Sequence, residues 1–247
     1  MRGFLAALAF LTVIPVPRAA TAAPPREALP WYPLVGLLLG AILFGGSRAL
    51  EPYFPPLVLG VLLTGTWAAL TGFLHLDGVA DSFDGLLATG SRQRRLEILR
   101  DPRAGAYAVA GVALALLLKA ACLAEPSART APSLLLAASL SRWLALVLAV
   151  GLAPARSEGM GRDLSRSAGL RAVALAAAVP LVVLAMGGVR SILAALLAMA
   201  CCCAIGLLAR RRLGGVTGDI LGLTIEASEV AVLLVHSLRG GGTWGSG

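Results

Sequence analysis

The segment HLDGVADSFDG, residues 75–85, sets Asp77, Asp81 and Asp84 directly behind the apolar run LVLGVLLTGTWAALTGFL. Spaced four and three residues apart, they fall within about 60° of arc on a helix and form one acidic stripe. Like charges this close repel, so the arrangement is costly unless a cation sits among them. Carboxylate oxygens are hard ligands suited to Mg²⁺ or Mn²⁺, and no cysteine or paired histidine stands nearby to suggest zinc. A Mg²⁺ held this way commonly also binds phosphate oxygens. The plainer alternative is a solvated helix end. Against it, Leu76, Val79 and Ala80 leave the stripe on an otherwise apolar turn.

The chain continues GSRQRRLEILRDPRAGAYA, which carries Arg92, Arg94, Arg95, Arg100 and Arg103. Acids that bind metal beside several guanidiniums suit a substrate with a di- or polyphosphate. Arg92, Arg94 and Arg95 read better as anchors to anionic lipid headgroups. Arg100, Asp101 and Arg103 lie nearer the next helix and are the stronger candidates on the substrate side.

A second acidic group comes late, in RRRLGGVTGDILGLTIEASEV. Asp219 and Glu226 are seven apart and share a helix face; Glu229 is one turn beyond. Gly214, Gly215 and Gly218 bracket Thr217 just before, and glycines ahead of a helix let backbone approach an anion. Carboxylates near the mouth of a membrane helix are costly without a function, although a snorkelling interfacial helix would also carry them. Arg142, in SLSRWLALVLAV, needs a partner or a phosphate if it lies inside a span. Lys119 could snorkel. His75 precedes the acidic triplet but falls on another face; it reads as structural or as support for the site, and is kept with the substrate-side set. His236 reads as a helix-end residue. ARSEGMGRDLSRSAG, with Arg156, Glu158, Arg162, Asp163 and Arg166, reads as a polar loop.

The elements that must position these groups are membrane helices. The 247 residues are 58% hydrophobic and 14% charged, with a mean hydropathy of +0.85. Several apolar runs approach the roughly 20 residues that cross a bilayer. The reading is an all-α polytopic membrane bundle with one catalytic domain over residues 1–238 and a flexible GGGTWGSG tail at 239–247. Candidate helices are 3–14, 33–49, 56–74, 104–123, 132–152, 170–187, 191–208 and about 220–238. That makes seven to eight membrane segments, because the first is short and could be re-entrant. Its sequence also resembles a cleaved secretory signal, but Pro15 and Pro17 follow the apolar core at once and favour a retained segment.

If all eight segments cross, fourteen Arg fall in loops on one side and five on the other, with Lys119 and Arg142 inside helices. The excess marks the cytoplasmic face and gathers the three long polar loops there. It also accounts for the net charge of +8, so no nucleic-acid partner is expected. Cys122 and the run Cys201, Cys202, Cys203 lack metal-ligand spacing and read as small apolar residues in helices.

FLTVIPVP, WYPLVGLLLG, HLDGVADSFDG, LEILRDPRAGAYA, SRW and GGVTGDILGLTIEASE occur in that order. Together, over residues 4–235, they resemble the cobalamin 5′-phosphate synthase family, also called adenosylcobinamide-GDP ribazoletransferase. The resemblance implies a multi-pass enzyme of the bacterial inner membrane, its active site facing the cytoplasm. It would join GDP-activated adenosylcobinamide to α-ribazole or its 5′-phosphate and release GMP, with one or two Mg²⁺ as cofactor and Mn²⁺ as a substitute. Membrane lipid is the other expected partner, and a homo-oligomer is left open. On that reading Asp77, Asp81, Asp84 and Asp219 hold metal. Asp84, Glu226 or Glu229 is the general base. Arg100, Arg103 and Arg142 hold phosphates beside Gly215, Thr217 and Gly218. A CDP-alcohol phosphotransferase fits less well, because in DGVAD the Ala of that family's D-G-x-x-A-R motif comes one place early, at Ala80, no Arg follows, and the later Asp spacing fails. A cation-coupled transporter would use Asp81 and Glu226, but transporter sites usually lie near the bilayer midplane.

Overall fold

The computed structural model describes residues 1–17, 24–156 and 169–238. The tail at 239–247 and loop residues 157–168 lie outside the described residues. Among those described, all regular structure is helical. The helices of seven or more residues are α1 (Arg2–Leu11), α2 (Tyr32–Leu50, preceded by the short helical turns Pro25–Ala28 and Leu29–Trp31), α3 (Pro56–Leu70), α4 (Leu74–Leu87), α5 (Arg92–Ile98) and α6 (Ala106–Ala124). They continue with α7 (Ala131–Gly151), α8 (Leu170–Ala176), α9 (Ala178–Met186), α10 (Gly188–Leu213) and α11 (Gly218–Ser237).

Among the described residues, four helices are long and apolar enough to cross a membrane: Arg26–Leu50, Ala106–Ala124, Ala131–Gly151 and Gly188–Leu213. The bent pair α3–α4 would make a fifth. The sequence led us to expect seven to eight. Helix α1 has ten residues, about 15 Å of rise, half of a ~30 Å hydrocarbon core. The expected 170–187 segment is divided at Ala177 into α8 and α9. Helix α11 has 20 residues but carries Asp219, Glu226 and Glu229. On α10, Ile192, Leu193, Leu196 and Leu207 stay exposed, the surface a lipid-facing helix presents.

The bundle is built around α7 and α11. Helix α2 lies close on α7 because Gly36 and Gly40 remove side chains at the crossing. A Cβ on Gly36 would sit 2.2 Å from the Ala138 carbonyl oxygen, and one on Gly40 2.6 Å from that of Leu134. Helix α4 lies across α11 at Gly78 and Gly222 in the same way.

The apolar run 56–74 does not continue straight into the acidic stripe. It ends at Leu70, and α4 leaves at 92° to α3. Gly72 (φ 59°) and Phe73 (φ 58°) make the corner in left-handed conformation. That geometry suits Gly and strains Phe. The Thr71 hydroxyl bonds back to the Trp67 and Ala68 carbonyls. The Leu70 carbonyl accepts from Val13 N at 2.9 Å, which ties the α1 exit to the corner.

Connections gather at two ends. At one, α5, the start of α6, residues 153–156, the end of α10 and the start of α11 meet. An isolated parallel bridge pairs Pro154 with Val216, and Arg92 Nη2 donates to the Ala155 carbonyl at 3.1 Å. At the other, Glu51 accepts from Arg48 and Arg129 at 2.8 and 2.9 Å, and Arg129 also caps the α6 carbonyls of Leu123 and Ala124. The polar loops predicted to share a face therefore meet, as far as they are described.

Candidate active site

Helix α4 carries its aspartates on one side, and the glycine crossing with α11 sets Asp219 against them. A Cβ on Gly78 would lie 2.8 Å from the Asp219 carbonyl oxygen. The Asp81 carboxylate feels the charges of Asp219, Asp77, Arg156 and Asp84. That of Asp219 feels Arg156 and Asp77 and is hydrogen-bonded to Thr217. Asp219 Oδ2 is buried and has no hydrogen-bond partner among protein atoms. Among the described residues, no three His, Cys, Asp or Glu side chains stand close enough together to form a metal-binding group. Asp77, Asp81 and Asp219 are neighbours without being closed on one point. Mutually repelling carboxylates and an orphaned buried oxygen fit a hard divalent cation.

Asp84 has a different employment. Its Oδ2 accepts from Gly105 N at 2.6 Å and its Oδ1 from Ala108 N at 2.9 Å. Gly105, the N-cap of α6, offers no capping side chain, so Asp84 satisfies the free N–H groups of that helix from across the chain.

Glu226 and Glu229 do not join the aspartates. Both face inward and meet Lys119, whose Nζ lies 2.5 Å from each. Arg142 Nη1 pairs with Glu229 as well, and it bonds Ser141 Oγ at 3.0 Å and the Ala138 carbonyl at 3.2 Å. Lys119 also stands 4.6 Å over the Trp67 ring. Arg142 and Glu229 are both 0% exposed. Two cations and two anions make a neutral tetrad that joins α6, α7 and α11. Glu226 is seven residues from Asp219, about 10 Å along the helix. Buried groups so paired are held in geometry, so Arg142 faces Glu229 rather than the acidic stripe. His75 lies near Arg142 and Lys119, buried, its Nε2 without a partner.

The arginines also sort differently from expectation. Arg92 and Arg95, expected as lipid anchors, both contact protein: Arg95 is buried, and Arg92, though exposed, turns back onto neighbouring backbone. Arg95 donates to the carbonyls of Gly85 and Leu86 at the end of α4, and Arg92 packs on Gly214. A guanidinium that caps a helix end is a protein staple, which sequence alone cannot tell from a lipid contact. Arg94 is exposed and pairs with Glu97. Arg103 is exposed and bonds Asp101 bidentately, at 2.9 and 2.7 Å, which holds the Asp101 carboxyl down at about 2. Arg100 lines a cavity with Arg156.

Arg156, which in the sequence is simply one residue of a polar loop, interacts by charge with both Asp81 and Asp219. The bridge between Pro154 and Val216 brings it there, and no spacing in the sequence announces that bridge. Gly215 also serves the bridge: its missing Cβ would fall 2.2 Å from the Ala153 carbonyl oxygen. Val216 N donates to Ala153 and Ala155 N to Val216, both at 2.9 Å. Thr217 caps α11 by accepting from Ile220 N at 3.3 Å, and Gly218 is the first residue of that helix.

Residues 3–237 match the model of a family described as cobalamin-5-phosphate synthase. Three similar proteins are each named adenosylcobinamide-GDP ribazoletransferase. The one from Pseudomonas paraeruginosa is 38% identical, with 96% of this chain and 98% of the relative covered. That from Alkalilimnicola ehrlichii is 41% identical, with 95% and 94% covered. That from Geotalea daltonii is 36% identical, with 98% and 99% covered. No solved structure matches.

Proposed function

The chain belongs to the cobalamin-5-phosphate synthase family, a family of transferases, and on that premise we propose that it is an adenosylcobinamide-GDP ribazoletransferase. It transfers adenosylcobinamide phosphate from the GDP-activated form to a ribose hydroxyl of α-ribazole or its 5′-phosphate. The hydroxyl oxygen forms a bond to the phosphorus that carries cobinamide. The bond from that phosphorus to the bridging oxygen of the diphosphate breaks, and GMP departs with the electron pair. The hydroxyl proton goes to a carboxylate of the aspartate cluster.

The carrying observation is the meeting of Asp77 and Asp81 on α4 with Asp219 on α11, beside Arg156. Phosphoryl transfer asks a protein mainly for positioning and for compensation of charge. Magnesium, one or two ions, held by Asp77, Asp81 and Asp219, would neutralise the non-bridging oxygens of the diphosphate. Arg156 holds a phosphate on the flank of the cluster. Asp84 fixes the start of α6, and the tetrad fixes α11 against α6 and α7, so both set the helices that carry the site.

The basic end of the bundle is read as cytoplasmic by its arginine excess, in the inner membrane of a bacterium. Transport coupled to a cation is disfavoured by the tetrad. Lys119 and Arg142 already neutralise Glu226 and Glu229, which leaves no net negative charge there to draw an ion. The test uses membranes that contain the protein, adenosylcobinamide-GDP, α-ribazole and Mg²⁺. GMP release that requires all three additions is expected; no release above empty membranes would defeat the reading.

A further inference from the structure

Between α5 and the 153–156 segment lies a cavity of about 390 Å³, lined by Gln93, Leu96, Glu97, Arg100, Ala155 and Arg156. That volume is in the range of small-ligand pockets, ~300–1,000 Å³. Arg156 is the wall it shares with the aspartate cluster, since its charge interacts with those of Asp219 and Asp81 as well as with that of Arg100. Its Nη2 donates to the Leu96 carbonyl at 3.2 Å. Its Nε is buried and has no acceptor. A guanidinium edge that lacks an acceptor, next to a second arginine, is a place for an anionic oxygen.

The other wall is of a different kind. Gln93 and Glu97 stand four apart on α5 and so share a face. One carboxylate can accept two parallel bonds from the N1–H and 2-amino groups of guanine. Adenine, with an acceptor at N1 and no 2-amino group, cannot supply them. Glu97 meets Arg94 at 3.3 Å, both side chains being largely exposed. Such a surface pair is weak, so the carboxylate is free to exchange partners.

We propose that this cavity is the guanine-nucleotide subsite, in which Arg156 and Arg100 hold the phosphate of the departing GMP and Glu97 reads the guanine edge. The proposal rests on the ribazoletransferase reading for the identity of the nucleotide, and it adds where that nucleotide sits and what selects it.

The test is direct binding of GMP to the purified protein in detergent, by calorimetry, run beside the transfer assay. Wild type is expected to bind GMP about tenfold or more tightly than IMP, which lacks the 2-amino group, and than guanosine, which lacks the phosphate. Glu97→Ala removes the preference for GMP over IMP and keeps that over guanosine. Arg156→Lys and Arg100→Ala narrow the gap between GMP and guanosine and keep the other. Arg100 is exposed, so its replacement disturbs no buried contact. GMP affinity unchanged in all three variants overturns the subsite, as does a wild type that binds GMP no better than guanosine. Failure of the transferase reading looks different: GMP binds as described, and none is released from adenosylcobinamide-GDP.

Discussion

Gly78 of α4 and Gly222 of α11 meet backbone to backbone. A Cβ added to Gly78 would stand 3.0 Å from the Gly222 Cα, and one added to Gly222 3.2 Å from the Gly78 Cα. This contact sets how far Asp77 and Asp81 stand from Asp219. Its loss therefore acts on chemistry and stability together.

Gly78→Ala is expected to force the two helices apart, at a cost of about 1–3 kcal/mol for overpacking. Transfer should fall more steeply than thermal stability in detergent, because the carboxylates separate. A variant with normal GMP release would show that the crossing does not set the site.

Asp81→Asn and Asp219→Asn should each abolish transfer and leave the protein folded in the membrane. Residual rates are expected below about a tenth of wild type at saturating Mg²⁺, since losing even the groups that orient metal ligands commonly costs about 10–100-fold. A chelator should stop wild-type transfer reversibly. Activity above that level in either variant removes the residue from the metal site.

Asp84→Ala should behave as a lost helix cap. The expected loss is about 0.5–2 kcal/mol of stability, with transfer reduced but measurable. Asp84→Asn retains one acceptor oxygen and should recover part of the stability. Complete inactivation of Asp84→Asn with unchanged melting would instead make Asp84 a ligand or a base.

Lys119→Met leaves Glu226 and Glu229 with one cation between them. Breaking a buried pair commonly costs about 3–5 kcal/mol, so this variant should melt early or fail to accumulate. A second change, Glu226→Leu, restores neutrality and should recover much of the loss. A double variant no more stable than Lys119→Met would deny that charge balance holds the tetrad.

Topology can be read with single cysteines on a cysteine-free background. Positions Ser91 and Thr130 are exposed and lie at opposite ends of the bundle. An impermeant thiol reagent should reach Ser91→Cys from the cytoplasmic side and Thr130→Cys from the other. Labelling of both from one side would contradict the two-ended arrangement.

Much of this was legible before any coordinates. Helical character followed from the apolar runs, and the gathering of polar loops from arginine counts. The acidic stripe followed from spacings of four and three. The corner at Thr71–Phe73 was not, because an apolar run has no periodicity to interrupt and Phe73 is a poor residue for a left-handed turn. The division of the acids was also hidden. Asp84 differs from Asp81 only in what lies across from it, the start of α6 at Gly105. Glu226 and Glu229 share a helix with Asp219, and only Lys119 and Arg142, from two other helices, show that they belong to the interior. Arg156 reaches the site through a bridge between two loops, which local sequence does not encode.

The tetrad has a consequence for how the chain enters the bilayer. Lys119 and its partner Glu226 are 107 residues apart, so α6 leaves the ribosome long before α11 exists. Lys119 sits five residues before the end of α6 at Ala124, where an unpaired lysine costs less than the about 2.5–3.5 kcal/mol of a helix centre because its ammonium can reach toward the interface. Helix α6 is long and apolar enough to cross on its own, and Lys119 meets its compensating carboxylates only when α11 arrives. Biogenesis of this enzyme is thus a delayed pairing, and a ribosome stalled before Glu226 would leave α6 in the membrane with Lys119 unpaired.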